Sequence, residues 1–257
     1  MYKFDIWNRY CVFKHANKSV NMKKIIHKAN DRGIQDHGWL KAAHSFSFAQ
    51  YHDPSKMHFG LLRVLNDDIV APGMGFGTHG HDNMEIVTIP LKGSLSHKDS
   101  LGSIGNISAG EVQMMSAGSG IEHSEFNGSS TEEVNLLQIW VFPKERNIQP
   151  RYDQQKYDLK TNNNSFVTLA SSGKDPGIMW INQDASFNLG TFDKGTTTSY
   201  TLKYPGNGAY IFLIDGEIGV DGSILDSRDA VGVYDTERID ISVRQNSQIL
   251  VIEVPME

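Results

Sequence analysis

The stretch GFGTHGHDNMEIVTIPLKG, residues 75–93, sets two histidines one residue apart among glycines and then runs into an apolar segment. Ten histidines in 257 residues make one H-x-H triplet a near-chance event, so the triplet by itself is a weak motif. Its meaning depends on conformation. In a β-strand successive side chains alternate faces, so His79 and His81 point the same way and Gly80 points opposite. A strand is therefore a natural way to present both imidazoles to one ion.

The rest of the chain supports strands. Helical periodicity is scarce. Short runs rich in Val, Ile, Phe and Tyr recur, among them HFGLLRVL, MEIVTIPL, VNLLQIWVF, GAYIFLI and SQILVIEV, with Gly, Asn, Asp and Ser between them. Many short strands with turn signals predict an all-β sandwich or barrel. The segment from Pro143 to Ser165 is polar and holds two prolines, which reads as a linker between two β units. The expected organisation is a leader over 1–21, a first unit over 22–145, a linker over 146–164 and a second unit over 165–257. A faint internal repeat agrees with two related units. MEIVTIPLKGSL at 84–95 and AYIFLIDGEIGV at 209–220 each read as strand, turn ending in Gly, strand. No histidine follows His123, so of two duplicated units only the first can carry an imidazole-rich site.

Bulk properties bound the function. The net charge of −6 leaves no nucleic-acid footprint. No apolar run reaches the length of a membrane span. The single cysteine, Cys11, excludes an intrachain disulfide and any cysteine-based zinc cluster, and fits a reducing, cytoplasmic address. Residues 1–21 lack the apolar core and cleavage site of a signal peptide. They read as a flexible leader, with Met22 as a second, more ordinary start.

A second same-face pair occurs in GSGIEHSEFNG, where His123 and Glu125 flank Ser124. An antiparallel barrel can bring this pair to the level of His79 and His81. Three neutral imidazoles and a carboxylate suit a divalent first-row metal and leave positions for water, substrate or O₂. On spacing alone the carboxylate is undecided. Glu85, four residues after His81, shares its parity on a continuing strand, and Glu125 pairs with His123 by the same rule. His97, on an expected hairpin near the site, reads as structural or supporting. His15, His27, His37, His44, His52 and His58 read as ordinary hydrogen-bonding residues.

The segments HSFSFAQYHDP, FGLLRVLNDDIVAPGMGFGTHGHDNMEIVTIPLKGSLSHKDSLG, GEVQMMSAGSGIEHSEFN and LLQIWVFPKE together resemble the pirin family of the cupin superfamily. The likeness is dense from Met22 to Tyr157 and looser beyond, where length and hairpins are similar to the short bacterial pirins. The resemblance implies a bicupin: two face-to-face antiparallel jelly-roll β-barrels, the first holding one metal and the second without ligands. The general cupin pattern is nearly met by Gly73, His79, His81, Glu85 and Gly93, with one extra residue before the last Gly. The pirin pattern instead assigns the metal to His79, His81, His123 and Glu125. Gly80 departs from it, since pirins usually have Pro there. The ion implied is Fe(II), with Cu, Ni, Mn, Co or Zn as alternatives. Several bacterial pirins resemble quercetin 2,3-dioxygenases, which open a flavonol with O₂ and release carbon monoxide. This implies a flavonol-like aromatic substrate, Glu125 as the catalytic proton acceptor, and a monomer that contacts neither nucleic acid nor membrane. The other reading the resemblance implies is a metal-dependent regulator that binds a protein partner; a plainer one is a metal-binding barrel with a different substrate.

Overall fold

The computed structural model describes residues 22–173 and 175–257; the expected leader, residues 1–21, lies outside them. The described chain is built of strands, with one 3₁₀ turn at Ala29–Asp31. No helix in it is long and apolar enough to cross a membrane. The strands form two units, each a jelly roll of a seven-stranded sheet facing a four-stranded one. The facing sheets are not joined into a continuous hydrogen-bonded cylinder.

In the first unit the large sheet runs, edge to edge, Arg151–Lys156, Glu111–Ser116, Glu85–Lys92, Val134–Val141, Leu62–Val70, Leu40–His44, Gly33–Asp36. Its small sheet runs Gly75–His81, Ile121–Asn127, Ser94–Asp99, Ile104–Ser108. The second unit repeats this order strand for strand. Its large sheet runs Lys23–His27, Ala230–Tyr234, Asn207–Asp215, Ser247–Pro255, Ser186–Phe192, Ser165–Ser171, Met179–Trp180. Its small sheet runs Thr197–Thr201, Arg238–Val243, Glu217–Val220, Ser223–Asp226. The repeat noticed in the sequence is therefore a repeat of topology. Its turn glycines, Gly93 (φ 75°) and Gly216 (φ 103°), occupy the same corner in a left-handed conformation that costs glycine little.

Two segments lie elsewhere than the sequence predicts. Within the expected linker, Arg151–Lys156 is a strand paired with Glu111–Ser116 of the first unit. Lys23–His27, expected in the first unit, pairs instead with Ala230–Tyr234 of the second. Both are edge strands whose side chains are mostly exposed or half-buried, so neither needs the apolar alternation by which a strand is read. The exchange ties the units together. Lys28 and the Ala29 amide both bond Asp229, and His27 Nδ1 lies 2.9 Å from Tyr210 Oη.

The apolar runs have a structural cause. In the large sheets both faces are covered: Glu85–Pro90 and Gly208–Ile214 are buried without interruption. One face looks into its own unit and the other packs against the partner unit. Val87, Ile89, Leu137 and Ile139 of the first unit share a single core with Phe187, Leu189, Phe212 and Ile252 of the second. The small sheets have one wet face and alternate, as in Arg238–Val243, where Ile239, Ile241 and Val243 are buried and their neighbours exposed.

A shared core predicts shared melting. Phe187→Ala, which empties a fully buried site in that core, should cost about 3–5 kcal/mol. Calorimetry should then show one transition, lowered by on the order of 10 °C. Two separate transitions, only one of them shifted, would show that the units unfold independently.

Candidate metal centre

The histidines come together on the small sheet of the first unit. Gly75–His81 pairs with Ile121–Asn127 in a register that sets His79 opposite His123. Alternation then turns His79, His81, His123 and Glu125 toward the interior. Imidazole centroids lie 4.9 Å apart for His79 and His81, 4.4 Å for His79 and His123, and 4.9 Å for His81 and His123. Potential donor atoms of these three rings all lie within 4.8 Å of one another, and so do those of His97, His123 and Glu125.

Hydrogen bonds prepare the lone pairs. His79 Nδ1 is 2.8 Å from the carbonyl of Gly77, to which it donates, so Nε2 is left as an acceptor. His123 Nδ1 is 3.5 Å from His97 Nδ1, and His97 Nε2 is 3.4 Å from Asp99 Oδ2. One arrangement of protons satisfies this run. His97 donates through Nε2 to Asp99 and accepts from His123 at Nδ1, which leaves His123 Nε2 unprotonated. That atom is buried and has no hydrogen-bond partner among the described residues. An orphaned, inward-facing imidazole nitrogen is what a metal site requires. The backbone amides of Leu101 and Ser103 fix Asp99, and Tyr152 stacks on His97 at 4.6 Å.

Electrostatics keep two of the rings neutral. Burial, reinforced by His79, pushes His81 down to about 4. Burial, with His79, His81 and His97 adding to it, pushes His123 down to about 3. Both are unprotonated at neutral pH, the form that binds metal. Burial raises Glu125, while hydrogen bonding from Gln113 opposes that rise. Gln138 Nε2 donates to Glu125 Oε2 at 3.0 Å and Gln113 Nε2 lies 3.4 Å from Oε1. Thr88 donates to Gln138 Oε1 at 3.0 Å, which fixes that amide with its NH₂ toward the carboxylate. Sequence reasoning missed both glutamines. The available signal was a lone amide inside an apolar strand, Gln138 in VNLLQIWVF and Gln113 in EVQMM.

Beside the cluster lies a cavity of about 220 Å³. Phe48, Phe76 and Trp140 give it aromatic walls, and Asn66, Asp68, Glu125 and Gln138 give it polar groups. Asp68 was not singled out in the sequence. Burial, with the charges of Asp67 and Glu125 adding to it, pushes its carboxyl up to about 8.

The second unit has the same registers with different residues. Matching strand partners outward from Gly93 and Gly216 sets His79 against Tyr200, His123 against Ile239, Glu125 against Ile241 and His97 against Val220. Thr88, Gln113 and Gln138 correspond to Ile211, Val231 and Val251. Apart from Tyr200, the replacements are aliphatic, and together they form that unit's interior core.

The chain is similar to known proteins. Residues 26–141 match the Pirin family and residues 168–254 match the Quercetinase C-terminal cupin domain family. The chain is 38% identical over 230 residues to a quercetin 2,3-dioxygenase of Escherichia coli (strain K12), covering 90% of this chain and 98% of that protein. It is 40% identical over 222 residues to a pirin-like protein of Caulobacter vibrioides, covering 86% and 95%. The crystal structure of the Escherichia coli bacterial pirin YhhW in complex with nickel(II) superposes with a TM-score of 0.86 at 37% identity, over 91% of this chain and 99% of that one.

Glu85, the alternative carboxylate, lies apart from both donor groups. The strand bearing the histidines ends at His81, Asn83 turns the chain with φ 47°, and Glu85 begins a strand of the other sheet. Its Oε2 accepts from Ser116 Oγ at 2.8 Å and from the Asn182 amide of the second unit at 3.2 Å. Burial pushes it up to about 7. The folded protein thus holds a proton that the unfolded chain releases near 4.5, so this residue's contribution to stability falls as pH rises from about 4.5 to about 7. The loss amounts to up to about 3 kcal/mol. Glu85→Gln, a mimic of the protonated acid, should melt higher than the parent at pH 8 and narrow the gap in melting temperature between pH 5 and pH 8. An unchanged gap would show that Glu85 stays ionised in the fold.

Proposed function

The chain belongs to the pirin family, and from that premise we propose that it is a metal-dependent dioxygenase that opens the central ring of a flavonol with O₂. One observation carries this reading: the clustered imidazoles of His79, His81 and His123 adjoin a buried Glu125, and His79, His81 and Glu125 line an aromatic-walled cavity. His79, His81, His123 and Glu125 would hold one divalent ion, Fe(II) being the one proposed. When bound, such an ion supplies Lewis acidity toward a phenolic hydroxyl and a route for electrons to O₂.

The chain's own residues do the rest. Phe48, Phe76 and Trp140 flank a flat guest and keep bulk water from it. Glu125, aligned by Gln113 and Gln138, accepts the proton of the flavonol hydroxyl. Its burial raises its affinity for that proton. His97 and Asp99 hold the tautomer and tilt of His123. A fixed set of donors also favours one metal geometry over the open solvation of a surface site.

The test is oxygen uptake by Fe(II)-loaded protein with quercetin, followed together with loss of the flavonol absorbance. The expected result is enzyme-dependent uptake that His123→Ala or Glu125→Ala lowers more than about a hundredfold, with loss of metal. Equal decay of quercetin with apo-protein or with free metal ions would assign the reaction to solution chemistry and overturn the proposal.

A further inference from the structure

The cavity holds a polar group that the proposed chemistry does not use. Asp68 lies on Leu62–Val70, in the sheet facing the histidines, and lines the cavity. It is 4% exposed, and its Oδ1 is buried with no hydrogen-bond partner among the described residues. A carboxyl so placed costs about 1–3 kcal/mol or more unless something satisfies it.

No side chain among the described residues donates a hydrogen bond to Asp68 Oδ1. Asn66 Oδ1 is bonded to His44 Nδ1 at 2.8 Å. Gln138 is taken by Thr88 and Glu125, and Gln113 reaches Glu125 and Thr88. Asn135 Nδ2 goes to Asp67 and to the backbone carbonyl of Asp68, not to its carboxyl. The second unit supplies an independent comparison. There the matching position is Gly190, and a β-carbon on it would lie 2.6 Å from the Phe192 ring, which fills the space. Asn66, by contrast, is matched by Asn188, so the amide persists in both units while the carboxyl occurs only beside the histidine cluster.

We infer that Asp68 is a substrate-positioning residue, whose carboxyl hydrogen-bonds a hydroxyl of the aromatic ligand other than the one presented to the metal. This rests on the reading of the cavity as a flavonol site. The ligand class it favours is a polyhydroxylated aromatic over one with a single chelating hydroxyl. The carboxyl then serves specificity, because an analogue without the second hydroxyl leaves it buried and unpaired.

The experiment is anaerobic titration of the metal-loaded protein with quercetin and with 3-hydroxyflavone, which keeps only the chelating hydroxyl. Asp68→Val, apolar and close in shape, should weaken quercetin about tenfold or more and leave 3-hydroxyflavone within about twofold. Asp68→Asn, which can still bond a hydroxyl, should restore most of the quercetin affinity. Metal content should be unchanged in both variants, and the melting temperature of Asp68→Val should not fall, as it would for a structural role. Equal shifts for the two ligands, or none for quercetin, would overturn the role of Asp68. Failure of the unmutated protein to bind either ligand would instead overturn the flavonol reading beneath it.

Discussion

The structure depends on the register between Gly75–His81 and Ile121–Asn127. Setting His79 opposite His123 is enough, given the two-residue alternation of a strand, to turn three imidazoles and Glu125 into one interior space. A slip of one residue would turn His123 and Glu125 outward and bring Glu122, Ser124 and Phe126 inward. The pairing shifts between His123 and Glu125, a bulge that sets Phe76 opposite Glu125.

That register imposes a cost that the rest of the fold has to meet. An interior of amides, imidazoles and carboxyls gains little from burial unless each group finds a partner. The first unit meets this with two hydrogen-bonded runs, Thr88–Gln138–Glu125–Gln113 and Asp99–His97–His123. The second unit, with the same strand order, puts valine and isoleucine at almost all of those positions and packs them as a core. The two units thus divide the work. One gives up interior hydrophobicity for a site, and the other supplies a conventional core and a large apolar face against which the first is held. The strand exchange at Lys23–His27 and the paired arginines Arg32 and Arg228 on Asp67 add polar ties across the same seam.

Much of this was legible in the sequence, for identifiable reasons. The β class followed from short apolar runs, and the two-unit repeat from matching hairpins around Gly93 and Gly216. The parity of His79/His81 and His123/Glu125 needed only that each pair lie on a continuous strand. Parity failed to decide Glu85 because the strand does not continue: Asp82–Met84 turn the chain into the other sheet, so counting by twos across the turn has no geometric meaning. The linker reading failed at Arg151–Lys156, and the first strand was placed in the wrong unit, because edge strands are polar enough to look like loops. Asp68, Gln113 and Gln138 stayed hidden for a different reason. A polar residue inside an apolar run marks an interior site only once the partner strands are known.

The central claim is that this register makes one metal site, in the first unit alone, from His79, His81, His123 and Glu125. Anomalous X-ray scattering from crystals of the metal-loaded, tag-free protein, collected on both sides of the metal's absorption edge, tests it directly. The account predicts a single strong peak within bonding distance of those four side chains and none in the second unit. A peak bonded by Glu85 in place of Glu125, or one seated near Tyr200 in the second unit, would contradict it.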